Sequence, residues 1–509
     1  MQKCSVIIGT YNHLPEGAEA SLFEETYQIC WRPFLSVLYR FPDLFAVLYY
    51  SGSVLSWLEA KHPEFLMLLE EMAGRKQIEL LGGGFFAPFL PLVAGQDRLG
   101  QMELLTTYIR KAFGRRPRGC WIQDYGWEPS LASGLQTCGF DFTFLPERQF
   151  RFAGADLELP VVTEDQGRSV AVFPVFDAVE SFSELLPPDV AIEELRSRKG
   201  EFPLLTLLYP GQAAARLWEK SGLESPDVLF ERSFAAIQKE GLVYETTTPG
   251  RFLKGNHCSG RAYFPSGASR LLMERSLPAA AHAGSELFDE EDGPSLRMGS
   301  PRRLLLRHEE SIALYSKMQY VRILVNLLRG DKSRKKSAQE ELWKGQCGDA
   351  YWYGPSGGLC RLGVRQSAYA SLIQAEKTTR QRGSFAPGVI LADIDFDGEK
   401  EILYQGSDYN AYVHTKGGAL VELDSLKSLT NYIDVLTEDG ARWPRRCFHD
   451  HIFESGSFGP ERGSFLDSSY SFADSDRPAH LAVLTRDGSA ELGGRKRQLF
   501  QGSRFFLCR

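Results

Sequence analysis

Residues 120–129 read Cys-Trp-Ile-Gln-Asp-Tyr-Gly-Trp-Glu-Pro. Cys120–Ile122 is an apolar run short enough for a buried strand, and Pro129 closes the loop that follows it. Between them stand two acids, Asp124 and Glu128, and two indoles, Trp121 and Trp127. A strand ending in a loop of polar and aromatic side chains is the unit from which parallel α/β sites are built. The fold turns on how often the chain repeats that unit.

Seven apolar runs occupy the first half: Ser5–Thr10, Phe45–Tyr50, Ile78–Leu81, Cys120–Ile122, Phe140–Leu145, Val170–Val175 and Leu204–Tyr209. Helical patterns lie between most of them, as in Val54, Leu55, Leu58, Phe65, Leu66, Leu68 and Leu69. Strand–helix alternation on this scale predicts parallel strands covered by helices. No Gly-rich nucleotide fingerprint accompanies it, so a closed or nearly closed barrel is expected rather than an open sheet. Chemistry then belongs in the loops at the strands' C-terminal ends, which begin at Tyr11, Ser51, Gly82, Gln123, Pro146, Phe176 and Tyr209.

Farther along, the texture changes to helices. Ile312, Leu314, Met318, Val321, Leu324, Val325 and Leu328 recur at helical spacing and stop at Gly330. The basic run Asp331–Lys336 reads as a solvated loop and the acidic segment Phe288–Pro294 as a linker. Beyond residue 385 short alternating runs between Gly, Asp and Ser turns predict antiparallel strands: Val389–Leu391, Glu401–Tyr404, Ala411–Val413 and Ala419–Val421. The expected division is 1–255 for the barrel, 256–383 for a helical domain and 384–509 for a β-sandwich.

Composition excludes several classes. The chain has 509 residues, 43% of them hydrophobic, enough to bury sizeable cores. Its net charge of -7 argues against nucleic acid or an anionic membrane as the main partner. No apolar stretch approaches the ~20 residues of a membrane span, and the run at Val6–Ile8 is too short for a signal peptide. The nine cysteines contain no Cys-x-x-Cys pair, so free thiols in a reducing cytoplasm are expected.

The loops carry the candidate chemistry. Acids beside aromatic rings suit glycosidic-bond chemistry: carboxylates protonate or attack, and flat rings stack on pyranose faces. His13 stands just past the first apolar run, in the loop Tyr11-Asn12-His13-Leu14-Pro15. The triple glycine Gly82-Gly83-Gly84 lacks the spacing of a phosphate loop and reads as close backbone packing. Asp393, Asp395 and Asp397, ahead of Gly398, are candidate calcium ligands on a tight turn. An EF-hand is excluded by Tyr404 at loop position twelve.

These blocks, in order, resemble glycoside hydrolase family 57, in particular its 4-α-glucanotransferase/α-amylase branch. Tyr11–Pro15 is similar to the family's His-Asn-His-Gln-Pro, and Tyr50-Ser51-Gly52 and Gly82–Phe86 to its second and third blocks. Trp121–Pro129 is similar to Trp-Leu-x-Glu-Arg-Val-Trp-Glu-Pro. Leu342–Gly354 with Gly357-Gly358 resembles the family's central signature, and Asp393–Gly398 with Val421–Asp424 its C-terminal domain. The resemblance implies an N-terminal (β/α)7 barrel, a central helical domain and a C-terminal antiparallel β-sandwich.

Residue by residue, the resemblance changes at the chemistry. Asp124 stands at the nucleophile position, where the family has Glu; it is shorter by one methylene, roughly 1.5 Å. A retaining mechanism needs its carboxyls about 5–5.5 Å apart. Tyr125 replaces the family's Arg, Ala87 a Glu, and Tyr11 and Tyr353 each a His. The acid/base loop corresponds to Tyr209–Ala215, which holds no carboxylate. A lost general acid costs typically about 10²–10⁴-fold. Asp165, Asp177 and Glu180 are the candidate replacements.

Two readings stand. One is an α-glucan or maltooligosaccharide-binding protein, catalytically impaired, holding its ligand with Tyr11, His13, Trp121, Tyr125, Trp127, Glu128, Tyr209, Trp352 and Tyr353. The other is an active 4-α-glucanotransferase or α-amylase using Asp124 and a relocated acid. No cofactor is required beyond a structural calcium at Asp393, Asp395 and Asp397, and a homodimer is an admissible assembly.

Overall fold

A computed structural model describes residues 4–176, 203–239, 244–276, 300–354, 357–380, 385–436, 447–448, 469–476, 481–492 and 495–507. They form two compact units, Met1–Arg307 with Gln346–Gly358, and His308–Gly345 with Leu359–Arg509.

In the first unit β1 (Cys4–Asn12) pairs in parallel with β2 (Ala46–Tyr50). β2 in turn pairs in parallel with β3 (Ile78–Leu80). Val6, Ile7 and Ile8 are consecutive and all buried, as a strand covered on both faces requires. Farther along lie β4 (Phe142–Pro146), β5 (Val161–Asp165) and β6 (Arg168–Val175), with β4 parallel to β6. β7 (Leu204–Pro210) and β8 (Tyr244–Thr247) both pair in parallel with β1.

Cys120–Ile122 forms no ladder of its own. Single parallel bridges join Gly82 to Cys120 and Gly119 to Phe142. Their hydrogen bonds run from Trp121 N–H to Gly82 O (2.8 Å) and from Cys120 N–H to Phe142 O (2.9 Å).

The simple strand–helix alternation needs correcting at two places. β5 and β6 form an antiparallel hairpin, closed by Gln166 (φ 51°) and Gly167 (φ 77°). Two consecutive positive φ values suit the right-handed twist of paired strands, and they interrupt the βα rhythm. β8 is the other: only four residues long, and polar at Glu245, Thr246 and Thr247, it carries no apolar run to announce it.

The triple glycine packs closely, as expected. A Cβ at Gly82 would lie 2.6 Å from the Phe140 ring, and one at Gly83 2.9 Å from the Trp121 carbonyl.

The second unit holds the helices Glu309–Leu327, Lys332–Lys344 and Leu362–Thr379. After Gly330 (φ 83°) the expected basic loop is instead the first turns of a helix. Asp331 caps it, its Oδ1 accepting from Arg334 N–H at 2.9 Å, so the acid that opens the run converts it to helix. β9 (Gly388–Ala392), β10 (Glu401–Gln405), β11 (Tyr409–His414), β12 (Ala419–Ser425) and β13 (Thr430–Asn431) form one antiparallel sheet. β14 (Ser471–Asp476), β15 (Leu481–Leu492) and β16 (Arg495–Leu507) form another. Ile402, Val413 and Leu420 share one core cluster with Tyr470 and Leu484.

A buried ion cluster ties this unit together. Lys317 Nζ, with its side chain fully enclosed, lies 2.8 Å from Glu376, 2.8 Å from Glu422 and 2.7 Å from Asp424. Burial alone would lower the Lys317 pKa, but the charges of Asp424, Glu376 and Glu422 override it and hold the ammonium ionised.

Candidate functional site

Tyr11, His13 and the Trp121–Tyr125 turn come together at the C-terminal end of β1. The Tyr11 ring stacks on Trp121 (centroids 4.1 Å apart, planes 16° apart), and the Tyr125 ring meets the same indole edge-on at 5.0 Å. Trp121 is 2% exposed and Tyr125 3%, so these rings mainly cover one another.

Asp124 is half-buried on a strained turn. Its φ is 51° and that of Tyr125 is 50°, two neighbouring non-glycine residues in the left-handed region. Such backbone costs about 1–2 kcal/mol per residue and persists only where its surroundings fix it. The surroundings here include the Ser269 N–H, which donates to the Asp124 carbonyl at 2.7 Å, and the Gln149 amide, which donates to Tyr125 O at 3.3 Å. Ala87, in the loop after Gly84, also has a positive φ (46°).

His13 reaches a partner 336 positions away. Its Nε2 lies 2.8 Å from Asp349 Oδ2, with both residues buried. A carboxylate can only accept, so Nε2 carries the proton and a neutral His13 is left with Nδ1 as a bare acceptor. Nδ1 is buried without a hydrogen-bond partner among the described residues, as are Trp121 Nε1 and Gln123 Oε1. The site thus encloses donors and acceptors of both kinds that no described residue answers.

Asp349 was not singled out from the sequence. Its signal was an acid inside the otherwise small and aromatic stretch Gly348–Tyr353. Gln346–Gly358 returns to the first unit through a Pro88–Cys347 bridge, a Gly348 N–H bond to Ala87 O at 3.1 Å, and a Gln101 amide bond to Gln346 at 2.9 Å. The same segment brings Trp352, 4% exposed, and the half-buried Tyr353, whose carbonyl accepts from Arg275.

The remaining candidates are engaged elsewhere. Trp127 is fully buried, in one core cluster with Leu90, Ile122 and Phe150, and meets the Phe264 ring edge-on. Glu128 pairs with Arg98 at 3.2 Å and Arg302 at 3.0 Å. Tyr209 is half-buried at the end of β7, opposite Thr10, and burial raises its pKa. Beyond it Gly211 packs against Asn12, where a Cβ would lie 1.9 Å from Oδ1, and the Gln212 amide donates to His13 O. Asp165 accepts from Ser133 at 2.6 Å on the β5–β6 hairpin. Asp177 and Glu180 lie outside the described residues.

Among the described residues two groups bring metal-ligating atoms together. His13, Cys347 and Asp349 form one, where burial raises the Cys347 pKa well above its ordinary value. The other comprises Asp395, Asp397, Glu401 and His414. Asp393 is not in it: its two carboxylate oxygens accept from Phe396 N–H (2.7 Å) and Gly398 N–H (3.1 Å) and so shape the turn. His414 Nε2 lies 3.3 Å from Asp395, 3.2 Å from Asp397 and 3.6 Å from Glu401. Its Nδ1 accepts from Lys416 N–H at 2.9 Å, so Nε2 holds the proton and donates to the acids. The three carboxylates suit a hard cation such as calcium, and His414 does not serve as a ligand in this tautomer.

Residues 9–180 match the family model for glycosyl hydrolase family 57. Residues 299–379 match the middle domain of α-amylase/4-α-glucanotransferase, and 393–439 its C-terminal domain. Residues 9–180 thus carry a glycosyl hydrolase family 57 domain, and the chain has mixed α/β content with an antiparallel sheet in its C-terminal region. It is 28% identical over 474 residues to a 4-α-glucanotransferase of Thermococcus litoralis, covering 89% of this chain and 67% of that protein. It is likewise 28% identical over 478 residues to an α-amylase of Pyrococcus furiosus, covering 90% and 69%. The crystal structure of the Thermococcus litoralis 4-α-glucanotransferase superposes with a TM-score of 0.84 at 25% identity, over 96% of this chain and 80% of that one. No described helix is long and apolar enough to cross a membrane.

Proposed function

We propose that this protein binds α-1,4-glucan or maltooligosaccharide at the loops carrying Tyr11, His13 and Trp121–Tyr125, and that its turnover by the paired-carboxylate route is impaired. One observation carries the reading: the segment facing His13 from the end of β7, where the resemblance puts the acid/base, is packed with Gly211 and Gln212 and contains no carboxylate. A retaining glycosidase lacking that acid cannot protonate the leaving oxygen. Binding itself needs hydroxyl partners and ring faces. His13 Nδ1, Trp121 Nε1 and Gln123 Oε1, enclosed beneath these loops without a partner among the described residues, would supply such groups once the Tyr11–Trp121–Tyr125 rings part.

A second reading, an active 4-α-glucanotransferase or α-amylase, is favoured by the strained Asp124–Tyr125 turn, of the kind active sites retain. It is favoured equally by the names of the relatives. Incubating purified protein and the Asp124→Ala variant with maltoheptaose separates the two. Saturable binding without change in chain length supports the first, whereas disproportionation or hydrolysis that disappears in the variant establishes the second.

The same reading includes a closed seven-stranded barrel, supported by the parallel bridges at Gly82–Cys120 and Gly119–Phe142. It retains the 1–255, 256–383 and 384–509 division, a homodimer and a cytoplasmic setting. It also includes a structural calcium on Asp395, Asp397 and Glu401, with Asp393 organising the turn. Terbium luminescence that is competed by calcium and lost in Asp397→Asn tests that site.

A further inference from the structure

A cavity of about 600 Å³ opens at the N-terminal ends of β2, β3 and the Cys120–Ile122 segment, the end of the strands away from Asp124. Its floor is apolar, with Ile78, Ile109 and Phe113 buried beneath it. Seven exposed cationic side chains ring it. Arg118 is paired with Asp141 at 2.6 Å and Arg75 with Glu71 at 3.9 Å. The other five, Lys76, Arg115, Arg116, Arg251 and Lys254, have no ion-pair partner among the described residues. Arg115 and Arg116 donate to the carbonyls of Gly74 and Cys138, which fixes their positions without neutralising them. Arg251 lies over the Phe45 ring, its guanidinium carbon 4.5 Å from the ring centre.

The one acid in the lining, Glu79, faces Arg118 and Lys254 and can offset only one of these seven charges. Glu79 is backed against Gly250, whose N–H donates to Glu79 Oε2 at 2.8 Å, and burial raises the carboxyl's pKa. A convex basic surface is ordinarily a solvated face. This one is concave, lies on a chain of net charge -7, and encloses a volume within the roughly 300–1,000 Å³ of small-molecule sites. Crowded like charges over an apolar floor cost free energy that a bound polyanion would offset.

We propose that this cavity binds a small phosphorylated metabolite, its phosphate on the five unpaired cations and its ring on the apolar floor. The inference is independent of what the loops at the other strand ends bind. Titration calorimetry of the full chain with ADP, glucose 1-phosphate and inorganic pyrophosphate tests it, with a single-stranded oligonucleotide as a fourth arm. At least one of the three small ligands should bind with a dissociation constant below about 1 mM. That binding should weaken as salt rises from about 50 to about 200 mM. ADP alone would identify a nucleotide, glucose 1-phosphate alone a sugar phosphate, and pyrophosphate with both a phosphate-directed site. The double variant Arg251→Gln/Lys254→Gln should lose about tenfold or more in affinity with an unchanged melting temperature, and Arg251→Lys/Lys254→Arg should retain binding. Absence of saturable binding by all three, affinity unchanged in the Gln variant, or an oligonucleotide that outcompetes them all overturns the proposal.

Discussion

The Tyr11 ring lies flat on the Trp121 indole, with centroids 4.1 Å apart and planes inclined by 16°. The pair locks the end of β1 to the segment that carries Asp124, and each ring gives the other one of its faces. Tyr11→Leu should lose the stack and part of the packed volume, costing about 1–3 kcal/mol in urea denaturation. The Trp121 environment should change with it, seen as a shift in tryptophan emission. An unaltered midpoint and spectrum would mean that the stack contributes nothing.

The Asp124 backbone makes an unusual forecast. With φ at 51°, glycine fits this position better than any side chain that branches at Cβ. Asp124→Gly should leave stability within about 1 kcal/mol of the parent, whereas Asp124→Val should lose about 1–2 kcal/mol or more. Thermal melts of the two variants check the order, and the reverse order would remove strain from the account.

Gly83 is pressed between Trp121 O and the Tyr49 ring, each 2.9 Å from where a Cβ would stand. Gly83→Ala should destabilise by about 1–3 kcal/mol, as overpacking does. Denaturant midpoints measure it; a neutral substitution would show that the loop can move aside.

Lys317 is surrounded by carboxylates that have no water to fall back on. Lys317→Met should cost about 3–5 kcal/mol, because it strands buried acids rather than because the pair itself is strongly stabilising. Chemical denaturation of the full chain reports it, and a loss under about 1 kcal/mol would contradict the burial.

Glu79 sets a pH dependence with a definite sign. Burial raises its pKa in the folded chain, so folding favours the neutral carboxyl more than water does. Its contribution is complete below the ordinary carboxylate range and is lost as pH rises through the raised value. Glu79→Gln should therefore match the parent in acid and exceed it in stability above that range. Melting temperatures across pH 4 to 8, at roughly unit intervals, test this, and parallel curves would refute it.

Much of the first unit was legible because its strands are buried on both faces, and continuous apolar runs such as Val6–Ile8 announce that arrangement. The β5–β6 hairpin and β8 were not. One depends on two left-handed residues at Gln166 and Gly167, and the other on a short polar strand whose partner, β1, lies far away in sequence. The basic run after Gly330 misled because a single cap at Asp331 outweighs the repulsion of the lysines behind it. At the site, residues next to strand ends could be found by position. Asp349 could not, since nothing local tells a chain that an acid will meet a histidine 336 positions earlier.

That separation has a consequence for the nascent chain. The first unit leaves off at Arg307 and resumes only at Gln346, after the helices of the second have begun. At about 5–20 residues per second of synthesis, His13 waits on the order of tens of seconds for the acid that fixes its tautomer. The loops around Asp124 are therefore translated early and finished late, and until Asp349 emerges a ribosome-bound chain carries a frame whose last piece is still to be made.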